Sequence, residues 1–322
     1  MVQRYTVVQL ALAMAAAVAS GGASAEGYPT RPIHLFVAFA PGGAGDIVAR
    51  LVARKMSQNM GQPIVIENRP APMVAVNAVR NAKPDGYTWM VAGSGTALTN
   101  VLFKSLPYDL MGDFTHVSTL ASFDLALLAS PDSSLRSVGD VIAYAKAHPG
   151  KLNIGAGRIG STQNLSATMF KSMAGIDAVI VPYKTTGDLL SALHTKDIQV
   201  AFEMLPPVLG QVKSKVVKPL AVSSSRRFPG LPDVPTVAES GVPGYDASSW
   251  NGVSVPVGTP PQIVARLVNE IGVAVAAPEV RGELERMGMV AKAGTPQEMA
   301  ARMKGDIAKW STVVERAGIP KQ

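Results

Sequence analysis

Short apolar runs alternate with amphipathic stretches along most of the chain, and glycine, proline or aspartate usually separates them. The first run, residues 33–39, is typical of a buried strand. An apolar stripe at helical spacing follows and ends at Gly61, which predicts a helix. Further strands are predicted at residues 63–67 and 87–92, with a helix at 74–81 between them. This order of strands and helices is typical of a parallel sheet with helices on its faces.

The same alternation returns in the later half of the chain. Strands are predicted at residues 125–129, 152–155, 179–181, 198–202, 219–222 and 249–255. Helices are predicted at residues 137–148, 162–174, 189–194, 261–276, 278–287 and 296–316. Two such units with a helical tail predict a two-lobed α/β protein, each lobe a mostly parallel sheet flanked by helices, with the ligand in the cleft between them. We assign residues 26–124 and 249–322 to lobe 1 and residues 125–248 to lobe 2.

The first 25 residues have the order of a secretory signal peptide. Arg4 gives a short positive end, residues 7–18 are almost entirely apolar, and Ala-Ser-Ala at residues 23–25 forms a small-residue cleavage site. A membrane anchor is the alternative, but the apolar run is short for the ~30 Å hydrocarbon layer. We therefore expect cleavage near Ala25 and export to the periplasm. The chain has no cysteine, so it has no disulfide and no thiol for a lipid anchor.

The net charge of the whole chain is +7 at pH 7. Lysine and arginine are scattered along the sequence rather than gathered in basic runs with interleaved aromatic residues. This distribution disfavours a nucleic-acid partner and fits the steering of a small anion.

Two glycine-rich turns, residues 41–46 and 157–162, each lead from a predicted strand into a predicted helix. A helix start presents free backbone N–H groups and a partial positive charge, so it binds anions without a charged side chain. If the two turns face one another across the cleft, they would hold a ligand with an anionic group at each end. Ordinary tight turns without a ligand are the alternative. The candidate ligand-binding residues of the two turns are Pro41, Gly42, Gly43, Ala44, Gly45, Asp46, Gly160, Ser161, Thr162 and Gln163.

Polar residues at the ends of other strands complete the candidate site. Ser94 and Thr96 follow one strand, Tyr183 and Lys184 follow another, and Glu203 follows a third. The hydroxyl groups could instead cap their own backbone, and Lys184 could be solvated. Glu203 is unexpected beside an anion and could orient a donor or reject a wrong ligand.

Asp46, like Glu203, is an acidic residue in a site that we expect to bind an anion. We predict it as the N-cap of the first helix, and capping its own helix is the simpler role for it.

Enzymatic and cofactor functions find little support in the sequence. Residues 155–160 fit the dinucleotide pattern G-x-G-x-x-G, but they lie in mid-chain, and Asp177 precedes its strand instead of ending one. The histidines lack metal-ligand spacing, and no nucleophile-elbow motif is present. We predict no catalytic residue, no metal and no cofactor, while a dispersed catalytic site in a secreted α/β enzyme stays an alternative.

Several motifs along the chain make a family resemblance specific. They are residues 28–33 (YPTRPI), 41–46 (PGGAGD), 61–63 (GQP), 67–70 (ENRP), 84–88 (PDGYT), 106–109 (LPYD), 149–153 (PGKLN), 181–184 (VPYK), 231–236 (LPDVPT) and 258–261 (GTPP). With these motifs the chain resembles the periplasmic receptors of tripartite tricarboxylate transporters, the Bug family of solute-binding proteins. The resemblance covers essentially the whole chain after the signal peptide.

The resemblance implies a type II-like periplasmic-binding fold that closes on a small organic acid, either a di- or tricarboxylate or an aromatic carboxylate. It implies delivery to two integral membrane subunits, and we expect the receptor itself to be a monomer without enzymatic activity. A receptor used for sensing or scavenging, without a cognate transporter, is the alternative. Relatives usually have glycines where residues 71–75 read APMVA, Ser-His-like pairs at Gln163-Asn164, and Asp at Glu203. These departures bear on which acid is bound.

Overall fold

The computed structural model describes residues 27–38, 41–69 and 72–322, so the predicted signal peptide, residues 1–25, lies outside the described residues. The strands are β1 (Ile33–Val37), β2 (Ile64–Asn68), β3 (Thr88–Gly93), β4 (Phe114–Ala129), β5 (Leu152–Ala156), β6 (Ala178–Pro182), β7 (Val200–Met204), β8 (Lys218–Val222), β9 (Ser248–Pro256) and β10 (Met289–Ala291). The helices are α1 (Ala44–Met60), α2 (Pro72–Arg80), α3 (Ser94–Leu102), α4 (Val138–Ala147), α5 (Thr162–Met173), α6 (Thr186–Thr195), α7 (Leu205–Lys213), α8 (Pro261–Ala276), α9 (Pro278–Arg286) and α10 (Pro296–Arg316).

The strands form a continuous mixed sheet in the order β2-β1-β3-β9-β4-β7-β5-β6, and β8 and β10 also pair with β4. The pairs β1–β2, β1–β3, β5–β6 and β5–β7 are parallel. Every pairing of β4 and of β9 is antiparallel. Each lobe therefore contains the predicted parallel strands, β1, β2 and β3 in one and β5, β6 and β7 in the other, and the antiparallel strands β4 and β9 make the sheet mixed. The reason is topological: β4 leaves one half of the sheet for the other and β9 returns, so the two strands run in opposite directions.

Strand β4 connects the two halves of the molecule. Its residues up to Asp124 pair with β9, with Asp124 opposite Ser248, whereas its residues from Leu125 onward pair with β7, with Leu125 opposite Met204. Because the partner of β4 changes at this point, we propose that the lobes divide between residues 124 and 125 and between residues 248 and 249.

Helices with clear end signals lie where the sequence predicted them. Helix α1 ends at Gly61, which has a left-handed φ of 68° that glycine adopts without strain. Ser137 caps α4 by accepting a hydrogen bond from the amide of Asp140. Thr236 and Glu239 form the reciprocal bonds of a capping box, but on a turn rather than on a helix.

Helices α3 and α7, strand β10 and the first eleven residues of β4 were not predicted from the sequence. The missed part of β4 carries polar side chains that read as a loop, yet Ser118 and Thr119 are buried. Their hydroxyls donate to the carbonyls of Gly294 and Lys292, both at 2.7 Å. These partners are more than 170 residues away in sequence, so only the tertiary fold makes the buried polar strand acceptable.

The C-terminal helix α10 contacts both halves of the molecule. Met299 and Met303 pack with Trp250 in one apolar cluster, whereas Trp310 and Val314 belong to the large cluster that contains the lobe-2 strands. Arg302 lies between these two ends and donates to Ser122 Oγ on β4 at 2.9 Å and to Ser248 Oγ on β9 at 3.2 Å. Helix α10, which we assigned to lobe 1, therefore braces the two connecting strands and also packs on lobe 2.

Candidate ligand-binding site

A pocket of about 210 Å³ lies in lobe 2, where the carboxyl ends of β5, β6 and β7 meet the starts of α5 and α6. Ligands of open α/β sheets bind at this kind of position. The pocket is lined by Gly157, Arg158, Ser161, Gln163, Tyr183, Lys184, Thr185, Thr186, Leu189 and Glu203.

Helix α5 supplies one wall through the second glycine-rich turn. Ser161 is its N-cap and accepts a hydrogen bond from the amide of Asn164 at 3.2 Å. The preceding Gly160 has a φ of +80°, which lets the chain turn sharply into the helix. The amides of Thr162 and Gln163 have no acceptor within the described residues, as expected at the first two positions of a helix. This end of α5 therefore attracts an anion.

Helix α6 supplies the opposite wall and repeats the same local geometry. Its N-cap Thr185 accepts from the amide of Asp188 at 3.1 Å and donates its hydroxyl to Asp188 Oδ2 at 2.8 Å. In the described part of the chain, the amides of Thr186 and Gly187 find no acceptor. Two helix N-termini thus converge on one small pocket, and their partial positive charges add.

Glu203 lies at the base of this pocket and is only 3% exposed. Its Oε1 accepts from Gln163 Nε2 at 2.9 Å and from its neighbour's amide, Met204 N, at 2.7 Å. Its Oε2 accepts from the Thr186 hydroxyl at 3.3 Å. Burial raises the pKa of Glu203, and the three hydrogen bonds offset only part of that rise. A buried carboxyl that forms no ion pair with any described residue thus lies between two helix starts.

The entrance of the pocket carries two cations and one aromatic ring. Arg158 and Lys184 both line the pocket and are both exposed. Tyr183 is partly buried, and burial, with a smaller contribution from the charge of Asp197, raises the pKa of its hydroxyl. Together the exposed cations draw an anion towards the pocket, where the helix ends can bind it.

The first glycine-rich turn, in lobe 1, is organised around Asp46, which is 2% exposed. Asp46 Oδ2 accepts from the amide of Gly42 and from Arg50 Nε, both at 2.9 Å, and Oδ1 accepts from Asn68 Nδ2 at 2.8 Å. Burial alone would raise the pKa of Asp46, but the bonds from Arg50, Asn68 and Gly42 outweigh it and lower the pKa.

Asp46 is not the N-cap of α1, so that prediction was wrong. The N-cap is Gly43, and Asp46 lies in the first turn and reaches back to the amide of Gly42. The glycines before the helix let it begin at Ala44, three residues earlier than an N-cap at Asp46 would allow. The amides of Ala44, Gly45 and Asp46 are without an acceptor among the described residues, so this helix start is also open to an anion.

Ser94 and Thr96 both accept hydrogen bonds from backbone amides of the protein. Ser94 Oγ accepts from the amide of Trp250 at 3.1 Å, and Thr96 Oγ1 accepts from the amide of Gly93 at 3.1 Å. Both side chains are buried at the start of α3. Of this group, the backbone of Gly95 is the part exposed to solvent.

The structure gathers five of the predicted site residues into the lobe-2 pocket: Ser161, Gln163, Tyr183, Lys184 and Glu203. The lining of this pocket does not include Gly160, Thr162, Ser94, Thr96 or residues 41–46. Five lining residues were not among the candidates: Gly157, Arg158, Thr185, Thr186 and Leu189. The Thr-x-x-Asp spacing at residues 185–188 is a helix-start signal that could have revealed Thr185 and Thr186.

A larger groove of about 960 Å³ runs between α5, β6 and α10. Three cations line it, but Lys171 lies 3.6 Å from Asp177 and Lys309 lies 3.1 Å from Asp306, so only Arg316 is left without an ion pair in the described chain. The groove is mainly apolar, and we therefore place the anion site in the smaller pocket. No group of three or more potential metal ligands occurs among the described residues, and none of the described helices has the length and hydropathy to cross a membrane.

Comparisons with known proteins agree with this arrangement. The sequence profile described as "Tripartite tricarboxylate transporter family receptor" matches residues 48–319. Protein BugT of Bordetella pertussis (strain Tohama I) is 33% identical over 303 residues, which cover 92% of this chain and 92% of that protein.

Two solved structures are similar over most of the chain. "R. palustris Rpa4515 with adipate" has a TM-score of 0.78 and 35% identity and covers 91% of this chain and 99% of its own. MatC from Rhodopseudomonas palustris with bound malate has a TM-score of 0.73 and 31% identity and covers 89% of this chain and 100% of its own. These similarities confirm the predicted α/β solute-binding fold.

Proposed function

Because the chain belongs to the tripartite tricarboxylate transporter receptor family, we propose that it captures a small organic acid between its two lobes. The observation that carries the proposal is the pair of helix N-termini, α5 and α6, that converge on the lobe-2 pocket beside Arg158 and Lys184. This arrangement binds a carboxylate through backbone amides and attracts it through two exposed cations.

The ligand we propose is a di- or tricarboxylate or an aromatic carboxylate. One carboxylate occupies the lobe-2 pocket, and the open amides of residues 44–46 bind the other end of the acid when the lobes close. Similar proteins bound to adipate and to malate support this class of ligand.

Membership of a family of transporter receptors supports delivery to two integral membrane subunits. We therefore propose a periplasmic, monomeric receptor that is exported by cleavage near Ala25 and does not turn over its ligand. A role in sensing or scavenging is the second candidate, and genes for a large and a small membrane subunit beside this one would favour transport.

A thermal-shift screen of residues 26–322 tests the proposed binding. The panel contains C4 to C6 dicarboxylates, citrate and aromatic acids. An acid present at 100 times its dissociation constant should stabilise the folded protein by about 2.7 kcal/mol. If no acid raises the melting temperature, the proposal is contradicted. If the protein chemically converts a bound acid, it is an enzyme and not a receptor.

A further inference from the structure

The Glu203 carboxyl group has one oxygen that the protein satisfies and one that it does not. Oε1 accepts two hydrogen bonds, from Gln163 and Met204, which is the full capacity of its lone pairs. Oε2 accepts only the long bond from Thr186, at 3.3 Å. Because Glu203 lines the pocket, the unused acceptor capacity of Oε2 is available to a ligand.

The protein groups that contact Glu203 are all donors: a side-chain amide, a backbone amide and a hydroxyl. No ion pair to Glu203 occurs among the residues that the structure describes. The carboxyl is therefore held as an acceptor without a cation to neutralise it. A buried acceptor that loses water on ligand binding and gains no donor destabilises the complex.

A plain carboxylate bound at the two helix starts would bring a second acceptor, and a negative charge, towards Oε2. A hydroxyl or ammonium group on the carbon next to that carboxylate would instead donate to Oε2. The first arrangement is repulsive and the second is complementary, which is how a site rejects one ligand and accepts another.

We propose that Glu203 is a specificity-determining residue that selects carboxylates with a hydroxyl or ammonium group beside the carboxylate bound in lobe 2. This inference rests on the proposed function, because it concerns the same pocket. The ligand class is then narrowed from organic acids in general to 2-hydroxy and 2-amino acids, with the rest of the molecule contacting lobe 1.

Matched pairs of acids that differ by one hydroxyl group test the inference: succinate and malate, tricarballylate and citrate, and phenylacetate and mandelate. Their dissociation constants are measured by calorimetry on residues 26–322. For every pair that binds, we expect the hydroxy acid to bind the native protein at least ~10-fold more tightly, a difference of about 1.4 kcal/mol.

Glu203→Gln is the central variant, because it keeps the side-chain shape and replaces Oε2 by an amide that donates. We expect the preference for the hydroxy acid to disappear or to reverse. Thr186→Val removes the single protein donor to Oε2, so the preference should be kept or should increase. Glu315→Gln, at an exposed position on α10, is the control for the loss of one negative charge and should leave the preference unchanged.

The outcomes separate the inference from the proposed function. If both members of a pair bind the native protein equally, or if Glu203→Gln keeps the native preference, the inference is wrong while the receptor function stands. If no acid binds, the proposed function fails and the inference fails with it. Equal melting temperatures of the native protein and the variants exclude misfolding as the cause of a lost preference.

Discussion

Each lobe has a buried carboxyl group beside the start of a helix that follows a glycine-rich turn, yet the two carboxyl groups have opposite properties. Asp46 in lobe 1 receives three strong hydrogen bonds, one of them from a cation, and its pKa is lowered. Glu203 in lobe 2 is similarly inaccessible to solvent but forms no ion pair within the described part of the chain, and its pKa is raised. Both side chains are almost inaccessible to solvent, but Glu203 is surrounded by more protein and has no charged donor, so desolvation and the donors together decide the sign of each pKa shift.

The difference separates a structural acid from an acid available to a ligand. Both carboxylate oxygens of Asp46 accept hydrogen bonds from protein groups, namely the amide of Gly42 and the side chains of Arg50 and Asn68. Glu203 lines a pocket and keeps an under-used oxygen. We therefore expect substitutions of Asp46 to change mainly stability and substitutions of Glu203 to change mainly ligand preference.

Asp46→Ala should have the largest effect. It removes the acceptor of three hydrogen bonds, from the amide of Gly42 and from the side chains of Arg50 and Asn68, and we expect a loss of about 2–3 kcal/mol in unfolding free energy at pH 7. Because the folded pKa of Asp46 is lowered, its contribution is present above the ordinary value of 3.8 and is lost as the pH falls through the folded pKa. Urea unfolding at pH 7 and at pH 3 measures the loss of stability and its dependence on pH. A loss below 0.5 kcal/mol at pH 7 would contradict the structural role of Asp46.

Asp124→Asn extends the comparison to a third buried carboxyl, at the crossing point of β4. Burial chiefly, together with the charge of Asp246, raises the pKa of Asp124 to about 6, against a hydrogen bond from Ser224 and the charge of Arg302. The native protein therefore loses stability as the pH rises from 3.8 to about 6. A shift of this size corresponds to at most about 3 kcal/mol. We expect the variant to lack this decline and to be about 1–2 kcal/mol more stable than the native protein at pH 8. The gain is smaller than about 3 kcal/mol because the variant also loses the attraction between Asp124 and Arg302.

The decline is measured from the melting temperatures of the native protein and of Asp124→Asn between pH 4 and pH 8. The same decline in both proteins would show that another group causes it. Asp132→Asn is the matched control, because it removes an exposed carboxyl whose pKa, lowered to about 2, lies outside this pH range.

Gly43→Leu tests whether the lobe-1 turn binds the ligand as well as lobe 2 does. Gly43 has a φ of −71°, so leucine fits the backbone, but its side chain would cover the open amides of α1. We expect acid binding to weaken at least ~30-fold, about 2 kcal/mol, with little change in melting temperature. Gly272→Leu, at a helix position with open space around it, is the control. Unchanged affinity would restrict the site to lobe 2.

Glu203→Gln should have a small effect on stability, in contrast with Asp46→Ala. The new amide keeps one acceptor for Gln163 and Met204 and removes a buried charge that no cation neutralises. We expect a change within about 1 kcal/mol at pH 7, and a gain relative to the native protein as the pH rises above the ordinary value of 4.5, because the folded pKa of Glu203 is raised. A loss of more than 2 kcal/mol in urea unfolding would make Glu203 a structural acid like Asp46.

Lys184→Met should have the smallest effect. Lys184 is exposed at the pocket entrance, and no ion pair to it occurs within the described residues. Exposed charges contribute little to affinity and act mainly on the association rate. We expect a change of at most ~3-fold in the dissociation constant of a bound acid, measured by calorimetry. A loss of 30-fold or more would show that a side-chain charge, rather than the helix ends, binds the carboxylate.

The sequence predicted most elements that have strong local signals. The apolar stripe and Gly61 fixed α1, and Ser137 fixed the start of α4. Helices α8 and α10 begin and end at the predicted residues. Their starts were predictable because each helix begins with a proline. The family was also readable, since its motifs recur in order along the chain.

Two features could not be predicted from local sequence: the first part of β4, which contains several polar residues, and the role of Asp46. Ser118 and Thr119 lie in a strand only because carbonyls near the C-terminal end of the chain accept their hydroxyl protons. Asp46 looked like an N-cap because the sequence does not show where the glycine turn ends.

The sequence by itself determined the strand and helix order, the two glycine-rich turns and the type of receptor, because these depend on neighbouring residues and on ordered motifs. Only the tertiary structure decided that the two acids differ. Arg50 and Asn68 reach Asp46 from positions 4 and 22 residues away, whereas Gln163 and Thr186 reach Glu203 from 40 and 17 residues away and bring no charge. The protonation and the remaining acceptor capacity of a buried carboxyl depend on which donors folding places within about 3 Å of it, and no local pattern records that.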